Sequence, residues 1–311
     1  MNDATRLFCL DSVLIDVMLK VDSLPERAGD ALAHEQLITT GGGFNAMSAA
    51  ARHDLLVVYA GRLGVGPFAT MASLSLEDDA IACPIDRNES MDTGICVVLL
   101  EPDGERSFVT SPGAEATLRA MDLEMLGVRD GDFVLVSGYN VMYPILADLV
   151  LGWLSQLPSG VTIVFDPATR MVDIPKENLA TMLDISTWLV CNSSESSTLT
   201  GNDDVVESAT TLAASRDALN VLVRNGAKGC VVALSHADAV VVEGFSTTVV
   251  DTTGAGDVHN GVFIAELVSG HDVLAAARWA NAAAAMAISK LGGATSPSRG
   301  EVAAWIAQTK H

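Results

Sequence analysis

Asp251-Thr252-Thr253-Gly254-Ala255-Gly256-Asp257-Val258 is the stretch from which the fold is read. The β-branched run Thr247–Val250 before it reads as a strand, and the pattern from Val258 to Ser269 reads as a helix. Small residues between the two let the backbone turn tightly. They leave the N–H groups of Gly254, Ala255 and Gly256 unpaired at a helix N-terminus, an anion site made of backbone and dipole. An aspartate beside such a site repels a bound phosphate and so needs a reason. A carboxylate that accepts the proton of a hydroxyl attacking phosphorus supplies one for Asp257. The alternative is a plain glycine turn with Asp257 as a helix-start charge.

Outward from this loop, the same beat of strand then helix fills the chain from about residue 130. The strands are Phe133–Val136, Val161–Phe165, Trp188–Cys191, Val221–Val223 and Val231–Leu234, short continuous runs of the kind buried on both faces of a parallel sheet. A second Ala-rich helix is expected over Asp272–Lys290. The N-terminal third is strand-rich: Leu7–Leu10, Val13–Leu19, Leu32–Ile38, and a hairpin of Gly94–Leu100 and Ser107–Thr110 around the turn Pro102–Glu105. Asp166 and Asn192 directly follow strands, and Gly226 comes shortly after one. In a parallel sheet these positions share the carboxyl edge, where open α/β folds bind ligands.

Composition narrows the function. The 311 residues carry 18 basic against 39 acidic side chains, a net charge of −21. With no two Lys or Arg adjacent, the chain is a poor partner for nucleic acid or an anionic membrane. Five scattered cysteines without a C-x-x-C read as small buried hydrophobes in a reducing compartment. The N-terminus lacks a signal-peptide pattern, and the apolar stretches 133–154 and 274–291 are interrupted by polar residues, so a cytoplasmic protein is expected.

A second glycine loop, Thr40-Gly41-Gly42-Gly43-Phe44-Asn45, precedes the helical Ala46–His53. Its glycines bring backbone close to a ligand, and Asn45 can donate to and accept from a hydroxyl. The nearby Gly61–Gly66 does not match the dinucleotide fingerprint, and no P-loop motif occurs.

Together these residues resemble the ribokinase-like, or PfkB, family of carbohydrate and nucleoside kinases, over nearly the whole chain. The D-T-x-G-A-G-D signature stands complete at Asp251–Asp257, and Thr40–Asn45 matches the Gly-Gly loop that ends in Asn, with Thr40 in place of the first Gly. Asn192-Ser193-Ser194-Glu195 looks like the family's N-x-x-E motif for magnesium and phosphate. Val223–Gly229, with Arg224, Gly226 and Gly229, looks like its nucleotide segment. Asn281 falls where the family lines the adenine pocket and Asp16 where it has a sugar-binding Asp. Asp166-Pro167-Ala168-Thr169-Arg170 resembles the D-P-x-x-R of several sugar and keto-sugar-acid kinases, and Pro102–Arg106 matches the lid hairpin. Three positions depart from the pattern: Gly66 for a common Asp, His259 for a common Phe, and Leu14 for an Asn that contacts ribose.

The resemblance implies an α/β fold: one ribokinase-like three-layer α/β/α domain over 1–311 with a mostly parallel central sheet. It also implies a small β-sheet lid from about 11–40 and 92–112, and a homodimer formed through that lid. It implies an ATP-dependent sugar kinase. Asp257 is then the base, and the Gly254, Ala255 and Gly256 amides stabilise the transferred group. Thr253, Gly254 and Gly256 join the nucleotide residues, and Asp16, Gly41, Gly42, Asn45, Arg170 and Asp257 bind the acceptor. Magnesium is held through water by Asn192 and Glu195. A potassium ion is placed beside Asp251 and Thr253, completed by Ala287, Lys290, Gly292 and Ser296.

Arg170 serves either a sugar carboxylate or a neutral sugar; in the second case Asp166 is offered as its partner. Arg224 and Lys228 read equally as phosphate contacts or solvated charges, and Arg106 as a solvated hairpin charge. Neutral hexose or pentose stands slightly ahead of a sugar acid, and a phosphorylated sugar behind both. The alternatives are a nucleoside kinase, with Phe44, Phe108 and Tyr139 as candidate base clamps although aromatics are only 5% of the chain, and a non-catalytic sugar-binding regulator.

Overall fold

The computed structural model describes residues 4–309. Twelve strands form within them: β1 (Arg6–Cys9), β2 (Val13–Val21), β3 (Ala33–Gly42), β4 (Leu56–Tyr59), β5 (Ile95–Leu100), β6 (Arg106–Ser111), β7 (Phe133–Ser137), β8 (Thr162–Asp166), β9 (Trp188–Asn192), β10 (Asn220–Arg224), β11 (Cys230–Ala233) and β12 (Val240–Val242). Eight of them make the central sheet in the order β12-β11-β10-β9-β8-β7-β1-β4, and the other four a small sheet, β3-β2-β5-β6. From β4 to β10 every pairing is parallel.

Side chains alternate across the central sheet and split the core in two. Leu7, Cys9, Leu135, Val164, Val190 and Leu222 face one cluster with helices Phe44–Ala51, Ala255–Val268 and Val273–Ala287. Phe8, Val134, Val136, Phe165, Leu189 and Val223 face the other with helices Pro144–Leu154, Lys176–Ile185 and Val205–Ala214. This is the three-layer arrangement expected of parallel strands covered on both faces.

Three expectations change. Thr247–Val250 is not a strand: it pairs with no strand among the described residues, Val250 N–H donates to Ile288 O, and Val249 and Val250 are exposed. β11, read among the parallel strands, runs antiparallel to β10. Five residues separate them, too few for a crossover but enough for a tight turn. The strands β4 and β12 went unread. The cysteines are free, and four of the five are buried, Cys83 being exposed.

The small sheet draws its strands from residues 13–42 and 95–111. Its β2 pairs antiparallel with β3 and parallel with β5. β1 leads into β2 through three residues, so the small sheet springs from the carboxyl edge of the large one.

Candidate active site

The carboxyl edge of the central sheet gathers the polar residues. Asp11 lies just beyond β1, Ser137 ends β7, Asp166 ends β8, Asn192 ends β9 and Arg224 ends β10. Helix Ala255–Val268 points its N-terminus at this edge, with Gly254 as its cap in the left-handed region, φ 72°. A side chain there would be strained and would also meet Gly293 O at 2.6 Å. The Ala255 N–H donates to Thr252 O, whereas those of Gly254 and Gly256 have no acceptor among the described residues. The loop therefore offers two free donors and a helix dipole, rather than the three free donors read from the sequence.

Asp257 sits on the first turn of that helix. Asn45, at the start of helix Phe44–Ala51, donates from Nδ2 to Asp257 Oδ2 at 3.1 Å, and its own buried Oδ1 has no partner among the described residues. Burial raises the Asp257 carboxyl to about 6; the Asn45 bond works against that rise and Asp166 adds to it. Asp16 on β2 is likewise raised to about 6, by burial and then by Asp257. A Cβ on Gly41 would displace the Asp16 carboxylate, so glycine there lets that carboxylate lie against the loop. Gly42, φ 62°, passes against Ser12 O. One wall of the cleft is thus Asp16, Gly41, Gly42 and Asn45, facing Asp257.

Two residues of the site were not read from the sequence. Asp11 accepts from Ser12 N–H at 2.8 Å, and burial, then Asp257, raises it to about 7. It follows a strand as Asp166 does, so the same signal could have found it. Asn260 donates to Asp166 Oδ2 at 2.6 Å and accepts from Arg224 Nη1 at 2.5 Å. It stands three residues after Asp257, on the same helix face.

Arg224 is not a solvated charge: its side chain is 14% exposed. It is bound to Asp166 at 3.1 Å and Asn260, with Glu195 at 3.9 Å. Gly256 leaves room for it: a Cβ there would meet the guanidinium carbon at 3.3 Å. Asn192 and Glu195 form a reciprocal cap, Asn192 N–H to Glu195 Oε2 at 2.8 Å and Glu195 N–H to Asn192 Oδ1 at 2.9 Å, on helix Ser193–Thr200. Burial, then Asp166, raises the Glu195 carboxyl. Next to this cap a cavity of about 470 Å³ opens, lined by Ser193, Asp204, Asn225 and Lys228 among others. Gly226 and Gly229 take left-handed conformations, φ 56° and 89°, in the turn that returns the chain to β11.

Other expected site residues are placed differently. Arg170 is 57% exposed and pairs through Nε with Asp173 at 2.8 Å. The Asp166 carboxylate offered as its partner is occupied by Arg224 and Asn260, so Arg170 is not brought into the cleft. Asn281 spends its amide within the protein: Nδ2 donates to Val242 O and Glu243 O, and Oδ1 meets His259 Nε2 at 3.0 Å. Burial, then Arg224, lowers His259 to about 3, so it is neutral. Arg106, read as solvated, reaches from β6 to Asp251 Oδ1 at 2.5 Å and is 20% exposed.

The donor sets differ in how well they suit the ions the resemblance implies. For magnesium they fit: Glu195 keeps one carboxylate oxygen outside its cap, beside Asp166. Among the described residues no group of three or more His, Cys, Asp or Glu forms a metal cluster, as suits an ion held mainly by phosphate and water. For a monovalent cation they do not fit. Asp251 accepts from Arg106 and Thr253 N–H through Oδ1 and from Gly292 N–H through Oδ2. Ala287 O and Gly292 O accept from the Thr295 hydroxyl, Lys290 N–H also donates to Ala287 O, and Ser296 O accepts from Arg52.

Comparison with known proteins agrees with this fold. An uncharacterized sugar kinase of Escherichia coli, YegV, is 31% identical over 94% of this chain and 91% of its own. An ATP-dependent ribose-1-phosphate kinase of Halopiger xanaduensis is 28% identical over 97% and 98%. The structure of Arabidopsis thaliana ribokinase complexed with ribose and ATP superposes with a TM-score of 0.78 at 24% identity, covering 97% of this chain and 98% of that one. The family model for pfkB family carbohydrate kinases matches residues 4–299, and the chain belongs to that family.

Proposed function

We propose that this protein transfers the γ-phosphoryl group of ATP to a hydroxyl of an unphosphorylated, neutral sugar. The observation that carries the reading is Asp257 on the first turn of an anion-binding helix, facing Asn45 and Asp16 across the cleft. Asp257 accepts the proton of the acceptor hydroxyl as the new O–P bond forms and the bond from the γ-phosphorus to the bridging oxygen breaks, releasing ADP. Asn45 holds the carboxylate in place, and its free Oδ1 is left for a sugar hydroxyl. The Gly254 and Gly256 amides receive the charge of the transferred group. Asn192 and Glu195 would hold magnesium through water, and the ion would neutralise charge on the ATP phosphates. Arg224 keeps Asp166 and Glu195 in position, and the cavity by Ser193, Asn225 and Lys228 adjoins the nucleotide segment.

The acceptor class follows from charge. Three carboxylates, Asp11, Asp16 and Asp257, line the acceptor side, and Arg170 is turned to Asp173. A sugar acid or sugar phosphate would bring a further negative charge to this wall of carboxyl groups. Of the aromatic residues that could clamp a nucleoside base, Phe44 is buried, which leaves Phe108 and Tyr139. The exposed Ile38 and Val109, in register with Val17 and Val97 on one face of the small sheet, are proposed to be covered by a second copy of the chain.

ADP release with ATP and Mg²⁺ across neutral sugars, sugar acids, sugar phosphates and nucleosides tests the assignment. A neutral sugar is expected to give the highest kcat/KM. A sugar phosphate as best acceptor would overturn the acceptor class, and a nucleoside would favour the second reading. ADP release that no acceptor stimulates would leave a binding protein.

A further inference from the structure

We infer that the lid arginine Arg106 does in this enzyme what the resemblance assigns to a monovalent cation: its guanidinium neutralises Asp251 and fastens the small sheet to the phosphoryl-receiving loop. The inference deepens the kinase reading and rests on it. Asp251 is wholly buried, and a buried carboxylate needs a positive partner or a full set of donors. It has both. Nη2 of Arg106 lies 2.5 Å from Oδ1, and Nη1 lies 3.4 Å from the Thr252 hydroxyl. The N–H groups of Thr253 and Gly292 complete the set at 2.9 and 3.0 Å.

Of the carbonyl oxygens the resemblance assigns to a cation, Ala287 O and Gly292 O share the Thr295 hydroxyl, Ala287 O also accepts from Lys290 N–H, and Ser296 O accepts from Arg52. A guanidinium keeps its charge at every physiological pH, so this neutralisation needs no ion from solution. It is also tied to position. Arg106 opens β6, opposite Leu100 at the hairpin end of the small sheet, and is separated from Asp251 by 145 residues. A movement of that hairpin must either carry the 251–254 loop along or leave Asp251 without its partner. Arg106 is therefore a positioning residue for the two amides of Gly254 and Gly256. It acts through Asp251 and not on the substrate.

The test uses the full chain in K⁺, Na⁺ and choline at one ionic strength, reading turnover and Tm. Wild-type kcat is expected to change by less than about twofold among the three, with Tm unmoved. Arg106→Ala is expected to lose about tenfold or more in kcat in choline, with a smaller change in the KM for ATP. K⁺ or millimolar guanidinium should then restore much of that loss, and K⁺ should raise the variant's Tm, because the vacated carboxylate now takes a small cation. Arg106→Lys should keep an intermediate rate and remain indifferent to K⁺. If the alanine variant does not fold, the lysine variant and the wild-type response to K⁺ decide the matter.

Activation of the wild type by K⁺ of about tenfold overturns the proposal. So does an Arg106→Ala rate in choline equal to wild type, or a loss that neither K⁺ nor guanidinium repairs. If no acceptor stimulates ADP release by the wild type, the kinase reading fails instead. The Tm arm still decides whether Arg106 replaces the cation.

Discussion

The proposed phosphoryl transfer rests on one carboxyl, that of Asp257. Asp257→Asn keeps its volume and removes its basicity, and kcat is expected to fall by about 10²–10⁴ with the KM for ATP little changed; a loss under about tenfold in steady-state assays would take the role of base from it. Since burial raises this carboxyl from the ordinary 3.8 to about 6, kcat/KM should climb with pH through about 6 and level off above. The same shift has a consequence for stability. A carboxyl raised on folding contributes stability below its unfolded pKa and loses that contribution as pH rises through its folded pKa. Asp257→Asn should therefore have a higher Tm than wild type above pH about 6, with the difference fading towards pH 4, a comparison that calorimetry settles. This residue and Asn45 were legible in the sequence because each lies in a short motif whose spacing alone sets its geometry. The roles of Arg106 and Arg170 were not legible. Their partners are fixed by tertiary structure, Asp251 being 145 residues from Arg106, and a local motif carries no information about which carboxylate lies opposite.

Two helices place the proposed base, Asp257, against Asn45. Helix Phe44–Ala51 and helix Ala255–Val268 pack so closely that a Cβ on Gly261 would collide with Ala46 O. Gly261→Ala should push them apart, lowering Tm and also kcat, since the 3.1 Å contact of Asn45 with Asp257 spans the same interface. The far end of the longer helix is held by Glu266, wholly buried, with His53 at 2.8 Å and Arg299 at 3.0 Å. Burial acts to raise its carboxyl, but the bonds from His53 and Arg299 prevail and hold it at about 2. Glu266→Gln is expected to cost about 3–5 kcal/mol in denaturant unfolding at pH 7 while leaving KM values unchanged. A carboxyl lowered on folding contributes stability above its unfolded pKa and loses it as pH falls through its folded pKa. The wild-type advantage over Glu266→Gln should accordingly shrink between pH about 4.5 and about 2. At this scale the sequence revealed the buried parallel strands through their continuous apolar runs. It misread Thr247–Val250, because β-branched residues form a strand only where a neighbour supplies hydrogen bonds. It misread the direction of β11, which depends on the length of the turn before it.

The whole molecule is a sheet whose carboxyl edge bears Asp11, Asp166, Asn192 and Arg224, roofed on the acceptor side by a small sheet that carries Asp16 and Arg106. Among the described residues no helix is long and apolar enough to cross a membrane. The layered fold was legible because alternating strands and helices admit few arrangements. The charge of the acceptor wall was legible only in part, because it depends on which of the 18 basic residues remain unpaired near the cleft. Mass spectrometry of the acceptor after incubation with ATP and Mg²⁺ tests the central claim directly. A neutral sugar is expected to gain one phosphoryl group with the wild type and none with Asp257→Asn over the same interval. Phosphorylation of sugar phosphates in preference to every neutral sugar, or equal product from the two proteins, would contradict it.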